Sequence, residues 1–236
     1  MTGLVLQLHG LAGPSVVRRP GGPAHRVMRF GQLTGLVSRC PYGGRLEVAD
    51  AAAERVMAHH QILSLYCGEG PVLPLQFGSF FSSLHAIRER LADHEAMHLT
   101  ALARLGDRQE YTLKIQPLQV VPSTAGEAAL SGGAFLSMRR AARDQRKAAG
   151  ARQKALGEEV LKALREMAPI NAQSAASGLL TVSVLLSQDQ HPAFKTLLDH
   201  HEQRLQAEGL SLKLSGPWPP YGFSTAESTA QVAHGG

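Results

Sequence analysis

Cysteine is almost missing from this chain: Cys40 and Cys67 are the only two in 236 residues, and they form no C-x-x-C pair. That excludes a disulfide framework and a cysteine-built zinc site, and it fits a reducing compartment. Asparagine occurs once, at Asn171, outside any N-x-S/T glycosylation acceptor. Aromatic residues make up 5% with a single tryptophan, which argues against an aromatic platform for stacking nucleic-acid bases. No apolar run approaches the ~20 residues that span a bilayer. The longest, around residues 178–186, is far shorter. Residues 1–9 have no basic residue ahead of their apolar run, and Gln7 and His9 interrupt it, unlike a secretory signal. No G-x-x-x-x-G-K-[ST] or G-x-G-x-x-G phosphate loop and no G-x-S-x-G nucleophile elbow is present.

What is there is enough apolar material for a core, 44% of residues, and a basic excess of +5. The excess is local. Between Phe135 and Lys154 stand seven bases and one acid, Asp144, for a net +6, which leaves the rest of the chain at −1. Arg139, Arg143, Arg146 and Lys147 recur at three- and four-residue steps, so on a helix they lie within reach of one another. The pattern reads as either a solvated helix face or a docking face for an acidic partner. No nucleic-acid module surrounds it.

Periodicity and turn residues order the chain. Residues 4–8 read as a strand, 10–23 as a Gly/Pro-punctuated loop, and 30–38 as a second strand. A helix is expected over 47–66, stopped by Gly68 and Gly70-Pro71, then a buried strand over 72–77. Ser82 or Ser83 caps a helix carrying Leu84, Ile87, Leu91, Leu102 and Leu105, which ends at Gly106. A strand follows over 109–121. Residues 122–133 read as an interdomain linker. Residues 134–168 should be helical by propensity, with Gly150 and Gly157 as possible breaks and Pro169 as the stop. A strand over 178–187, a helix opened by His191-Pro192 and closed by Gly209, and a strand over 210–214 complete the pattern. Residues 225–236 read as a disordered tail. The fold class is α+β in two domains. Residues 1–121 form an N-terminal α/β sandwich. Residues 134–224 form a modified ferredoxin-like domain with an added long helical segment.

Two motifs hold chemistry. His94-Glu95-Ala96-Met97-His98 matches H-E-x-x-H, in which two His one turn apart bind zinc and the Glu acts as general base. The extended pattern needs Gly at position 101 and His at 104; Ala101 and Arg104 stand there, so no third ligand is nominated. Chance matching is easy with 11 His in the chain, and a core-edge turn is the plainer reading. His59-His60 and His200-His201 are adjacent pairs whose members point about 100° apart on a helix, so neither pair chelates by itself; surface or core-edge placement is expected. The second motif, Ser215 to Phe223, holds three prolines, the sole Trp, a Tyr and a Phe in nine residues. Its prolines fix an extended course, and self-packing of Trp218 is favoured over exposure.

The string Leu214-Ser215-Gly216-Pro217-Trp218-Pro219-Pro220-Tyr221-Gly222-Phe223 resembles the L-T-G-P-W-P-P-Y-S-F signature of the gas vesicle protein F/L family (GvpF/GvpL). Val72 to Phe81, with Pro74, Phe77 and Gly78, is similar to that family's vLPlrFGtvf segment. Gln76 stands where an Arg is common, Gly222 replaces a Ser, and F-type and L-type members are not separable on these residues. The resemblance runs in order over about residues 4–223. It implies a non-enzymatic role: a cytoplasmic accessory or minor vesicle component that binds the hydrophobic shell protein (GvpA-type), with other accessory proteins as possible partners. It implies no cofactor, no nucleic acid and no membrane. A zinc hydrolase built on His94 and His98, or a ferredoxin-like module for a small ligand, is the alternative.

Overall fold

The computed structural model describes residues 4–41, 49–68, 70–118, 132–174 and 180–224. The expected linker at 122–133 lies almost wholly, and the expected tail wholly, outside them. The chain divides into two compact units. The first comprises residues 1–111, 185–188 and 216–236; the second comprises 112–184 and 189–215. Each is described by itself.

The first unit is organised by β1 (Leu4–Ala12), which sits inside an antiparallel sheet of order β2-β3-β1-β4, with β2 (Arg26–Phe30), β3 (Leu33–Pro41) and β4 (Val72–Pro74). The two-residue strand β5 (Phe80–Phe81) also pairs with β1. The register of β1 against β3 shifts between Leu8 and Gly10, leaving His9 as an extra residue. A bulge reverses which side alternate residues face. Accordingly Leu8 and Leu11 lie in one apolar cluster with Ile87, Leu91, Leu102 and Leu105. Ala12 lies in another, with Leu36, Ile62, Leu63 and Tyr66. Helix α1 (Ala49–Ser64) thus covers one sheet face, and α2 (Leu84–Ala92) with α3 (Glu95–Leu105) covers the other. The Gly13–Ala24 loop is pinned from below. Arg19 N–H donates to the Tyr66 hydroxyl at 3.3 Å, and that hydroxyl meets His25 Nε2 at 2.6 Å. His25 Nδ1 lies 2.8 Å from the Pro23 carbonyl, which can only accept, so in the neutral ring Nε2 accepts from Tyr66.

Two expectations in this unit are corrected. The single strand over 30–38 is a hairpin: Phe30 pairs with Leu33 across Gly31-Gln32, and Gly31 takes φ +59°, which a two-residue hairpin turn demands. The single helix to Gly106 is two. Ser83 caps the first, its hydroxyl accepting from Ala86 N–H at 3.1 Å, and the chain breaks at Asp93-His94 before α3 starts.

The second unit follows the order β6 (Gln109–Pro117), α4 (Gly132–Met167), β7 (Ile170–Ser174), β8 (Leu180–Leu186), α5 (His191–Ala207), β9 (Leu210–Trp218). Its sheet runs β7-β8-β6-β9. That is the β-α-β-β-α-β connectivity of a ferredoxin-like sheet, with the first and third strands central. Ends of β6, β8 and β9 are counted with the first unit. Leu156, Val160 and Leu164 form one buried stripe on α4, and Phe194, Leu198 and Leu205 one on α5. Arg204 makes a two-pronged ion pair with Glu159, and Arg152 Nε reaches Glu208 Oε2 at 3.1 Å. All four side chains are partly in water, so these pairs fix geometry more than they stabilise. Gly150 and Gly157 do not break α4, which runs unbroken for 36 residues. A helical Gly costs only about 1 kcal/mol against Ala, and the flanking Ala, Arg, Lys, Glu and Leu offset it. Strand β7 has no counterpart in the sequence reading, and β9 runs on to Trp218.

Gly10 lets α1 and β4 come close to β1: a Cβ there would sit 2.5 Å from Leu63 Cδ2 and 2.9 Å from the Leu73 carbonyl oxygen. We expect Gly10→Ala to destabilise the chain by about 1–3 kcal/mol through overpacking, read as a lower urea midpoint with an unchanged slope.

Candidate functional site: a histidine node and an apolar groove

The bulge that places His9 under α1 creates a buried polar patch there. His9 Nδ1 lies 2.9 Å from His59 Nδ1, and His9 Nε2 lies 2.8 Å from Ser38 Oγ. Gln7 Nε2 approaches His59 Nδ1 at 3.5 Å, and Cys40 Sγ donates to Gln7 Oε1 at 3.5 Å. His59, expected at the surface or core edge, is only 3% exposed. One proton fits between two Nδ1 atoms at this distance, so the two rings cannot both be charged. Burial, then the neighbouring His59 and His25, push His9 down to about 3. Burial also lowers His59, opposed by a hydrogen bond with the Leu75 backbone and reinforced by His60.

His59 is also where two distant segments meet. Its ring packs edge-on against Phe77 at 5.7 Å and lies 6.3 Å from Tyr221. The next residue, His60, stacks on Tyr221 at 6.0 Å and lies 5.6 Å from Trp218. The Pro-Leu-x-Phe-Gly segment and the Trp-Pro-Pro-Tyr segment, about 140 residues apart in sequence, are therefore held by one turn of α1. Pro74, Pro219, Pro220 and Phe223 are buried, Gly78 takes φ +98°, and Trp218 stays 37% exposed. Self-packing thus holds for Pro219, Pro220 and Phe223, only partly for the tryptophan, whose ring is left beside His60, and not for Pro217, which is exposed. The Gly216-Pro217 bond is cis. Gly216 has φ +126°, and a Cβ there would lie 2.9 Å from the Glu110 carbonyl, so this position requires glycine. Two bonds anchor the segment's end: Gly222 N–H donates to Glu110 Oε2 at 2.8 Å, and Arg104 Nη2 donates to the Phe223 carbonyl at 2.8 Å. Glu110 is 6% exposed. Burial, then Cys67 and Glu110, push the Tyr221 phenol upward, and burial pushes the Cys67 thiol up to about 12, which leaves it an inert thiol.

Beside this junction opens a groove of about 930 Å³. Leu73, Pro74, Leu75 and Gln76 form one wall, α3 the other through Met97, Ala101 and Arg104, and Tyr221 and Ser224 close one end. Met97 is 58% exposed on its rim. The lining is mostly apolar and holds no carboxylate.

A sequence profile described as gas vesicle synthesis protein GvpL/GvpF matches residues 17–225. The chain belongs to the GvpL/GvpF family. It is 29% identical to gas vesicle protein F of Streptomyces sp. (strain CB03234) over 230 residues, covering 89% of this chain and 94% of that protein. It is 27% identical to gas vesicle protein L of the same strain over 229 residues, covering 86% and 84%. Crystal structures of GvpF from Anabaena sp. PCC7120 and from Microcystis aeruginosa share the fold, with TM-scores of 0.66 and 0.68 at 14% identity. The first alignment covers 95% of this chain and 97% of that structure, and the second 94% and 99%. The mixed helix and sheet architecture is the one expected.

Of the H-E-x-x-H histidines in this GvpL/GvpF chain, His98 lines the groove and His94 does not. In the H-E-x-x-H string, His94 is the residue before α3 rather than part of it, with φ −130° and ψ 13°. Its ring centroid lies 6.3 Å from that of His98, and Glu95 Oε1 accepts from Gln32 N–H at 2.7 Å. Among the described residues no three His, Cys, Asp or Glu side chains are grouped to hold a metal. Arg139, Arg143, Arg146 and Lys147 are exposed on α4 in the second unit. Among the described residues no helix is long and apolar enough to cross a membrane.

Sequence reasoning missed Glu110's anchoring contact, since a lone carboxylate on a strand gives no signal. It missed the His59 node because the partners arrive from β1, over 50 positions away.

Two outcomes follow from this geometry. His9 and His59 titrate lower folded than unfolded, so the unfolded chain takes up protons first. Their stabilisation is complete at pH 7–8 and is lost progressively as pH falls below about 6.5, with His9 the last to charge, toward about 3. Urea midpoints across this range should fall steeply for the parent chain and less steeply for His9→Gln. Glu110→Ala should remove the carboxylate that accepts from the part-buried Gly222 N–H, at a cost of about 1 kcal/mol. Emission from the only Trp should then shift to the red and 216–224 become protease-sensitive, with far-ultraviolet circular dichroism unchanged.

Proposed function

We propose that this GvpL/GvpF member is a non-enzymatic assembly factor of the gas vesicle. It binds monomers of the GvpA-type shell protein in the cytoplasm, keeps their apolar surface from aggregating, and helps nucleate or extend the vesicle wall. The observation that carries this reading is the groove: an open, mostly apolar surface whose wall and end come from the two segments that also carry the family resemblance. Exposed apolar patches on a monomer usually mark partner sites. The names of the relatives, gas vesicle proteins F and L and a gas vesicle synthesis family, support it.

A second surface is favoured by its own observation. Residues 137–152 of α4 are exposed at nearly every position and hold most of the +6 cluster. This suits an acidic accessory protein.

The test is co-purification with tagged shell protein together with light scattering of the shell protein alone. The parent chain should bind and hold scattering down. Met97→Glu, at an exposed site, should lose both by at least tenfold while keeping its urea midpoint. Changing Arg139, Arg143 and Arg146 together to Gln should weaken association with an acidic component in a salt-dependent way and leave folding intact. A parent chain that neither binds nor changes scattering contradicts the reading.

A further inference from the structure

The groove's wall has a feature that a pocket made of side chains lacks. Leu73, Pro74, Leu75 and Gln76 line it consecutively. Successive side chains of an extended chain point to opposite faces, so four consecutive lining residues mean that the strand's edge borders the groove, not one of its faces. The sheet order agrees, since β4 is its end strand. The bonding phase fixes which backbone groups look outward. Leu75 N–H donates to the His9 carbonyl at 3.0 Å, so by alternation Pro74 and Gln76 direct their backbone groups away from β1. Pro74 offers a carbonyl and lacks an N–H, a residue that sheets place on edges; Gln76 offers an N–H.

Across the groove stands helix α3, presenting Ala96, Met97, Thr100, Ala101 and Arg104. A strand edge facing a helix over an apolar floor is the arrangement in which an extended peptide adds to a sheet, its backbone pairing with the edge and its alternate side chains entering the groove. The charges select among such peptides. Arg104 supplies the groove's cation, while burial and then His94 and Arg90 hold the neighbouring lining residue His98 below the usual imidazole range. With no carboxylate among the lining residues, an acidic group on the incoming segment is favoured and a basic one disfavoured.

We infer that the groove receives one extended, apolar partner segment carrying a carboxylate, added as an antiparallel or parallel strand on the free edge of β4. This rests on the proposed shell-protein reading and names how that site binds. It commits to backbone pairing: the segment is a strand, not an amphipathic helix laid on α3.

The experiment uses the full chain and overlapping twelve-residue peptides that tile the shell protein, each labelled for fluorescence anisotropy. Bound peptides should be apolar, β-prone and contain Asp or Glu. Exchanging that acid for Lys should weaken them at least tenfold. N-methylation at alternate backbone nitrogens in one phase should abolish binding while the other phase leaves it within about twofold, and Met97→Glu in the chain should weaken all of them. The inference is overturned if bound peptides become helical by circular dichroism, if N-methylation leaves binding unchanged in both phases, or if no peptide binds while intact shell protein still co-purifies. In that last case the shell-protein reading survives. If intact shell protein also fails to co-purify, both fall.

Discussion

The arrangement of the first unit depends on one buried imidazole. His59 touches the bulged strand through His9 and Gln7, one motif segment through Phe77, and the other through Tyr221. A buried polar group must find hydrogen-bond partners, and an apolar residue of similar size would not have required the bulge at His9. The bulge in turn sets the parity of β1, which sends Leu8 and Leu11 to one helix layer and Gly10 and Ala12 to the other. The node therefore couples strand register, helix position and the course of both motif segments. Because burial opposes charge on both rings, acid works against that coupling.

The sequence made part of this legible. Periodicity located α1, α5 and the capped start of α2, because their apolar stripes and caps are local features. Glycine and proline located most ends: Gly106 and Gly209 adopt positive φ after α3 and α5, and Pro192 sits in the first turn of α5. The β2–β3 hairpin escaped because the apolar spacing of Met28, Phe30 and Leu33 continues through a turn marked only by Gly31. The break at Asp93-His94 escaped because both residues are tolerable in a helix. Two glycines in α4 suggested breaks that its neighbours outweigh.

The candidate site was half legible for the same reason. The two motif segments stood out by composition, and what they build together did not, since their meeting depends on contacts between β4, α1 and the chain after β9. The H-E-x-x-H string was legible as a pattern; in the fold His94 precedes α3, Glu95 is engaged by the Gln32 backbone, and among the described residues no third ligating side chain joins them.

Two surfaces of different chemistry result: an apolar groove with one lining arginine in the first unit, and a basic, exposed helix in the second. Only the first is built by the motif segments, so it is the proposed shell-protein contact. Hydrogen exchange of the full chain, alone and with an excess of shell protein, measures this most directly. The account predicts slowed exchange at residues 72–76 and 96–104, with 137–152 unchanged. Slowed exchange confined to 137–152, with the groove exchanging as in the free chain, would contradict it.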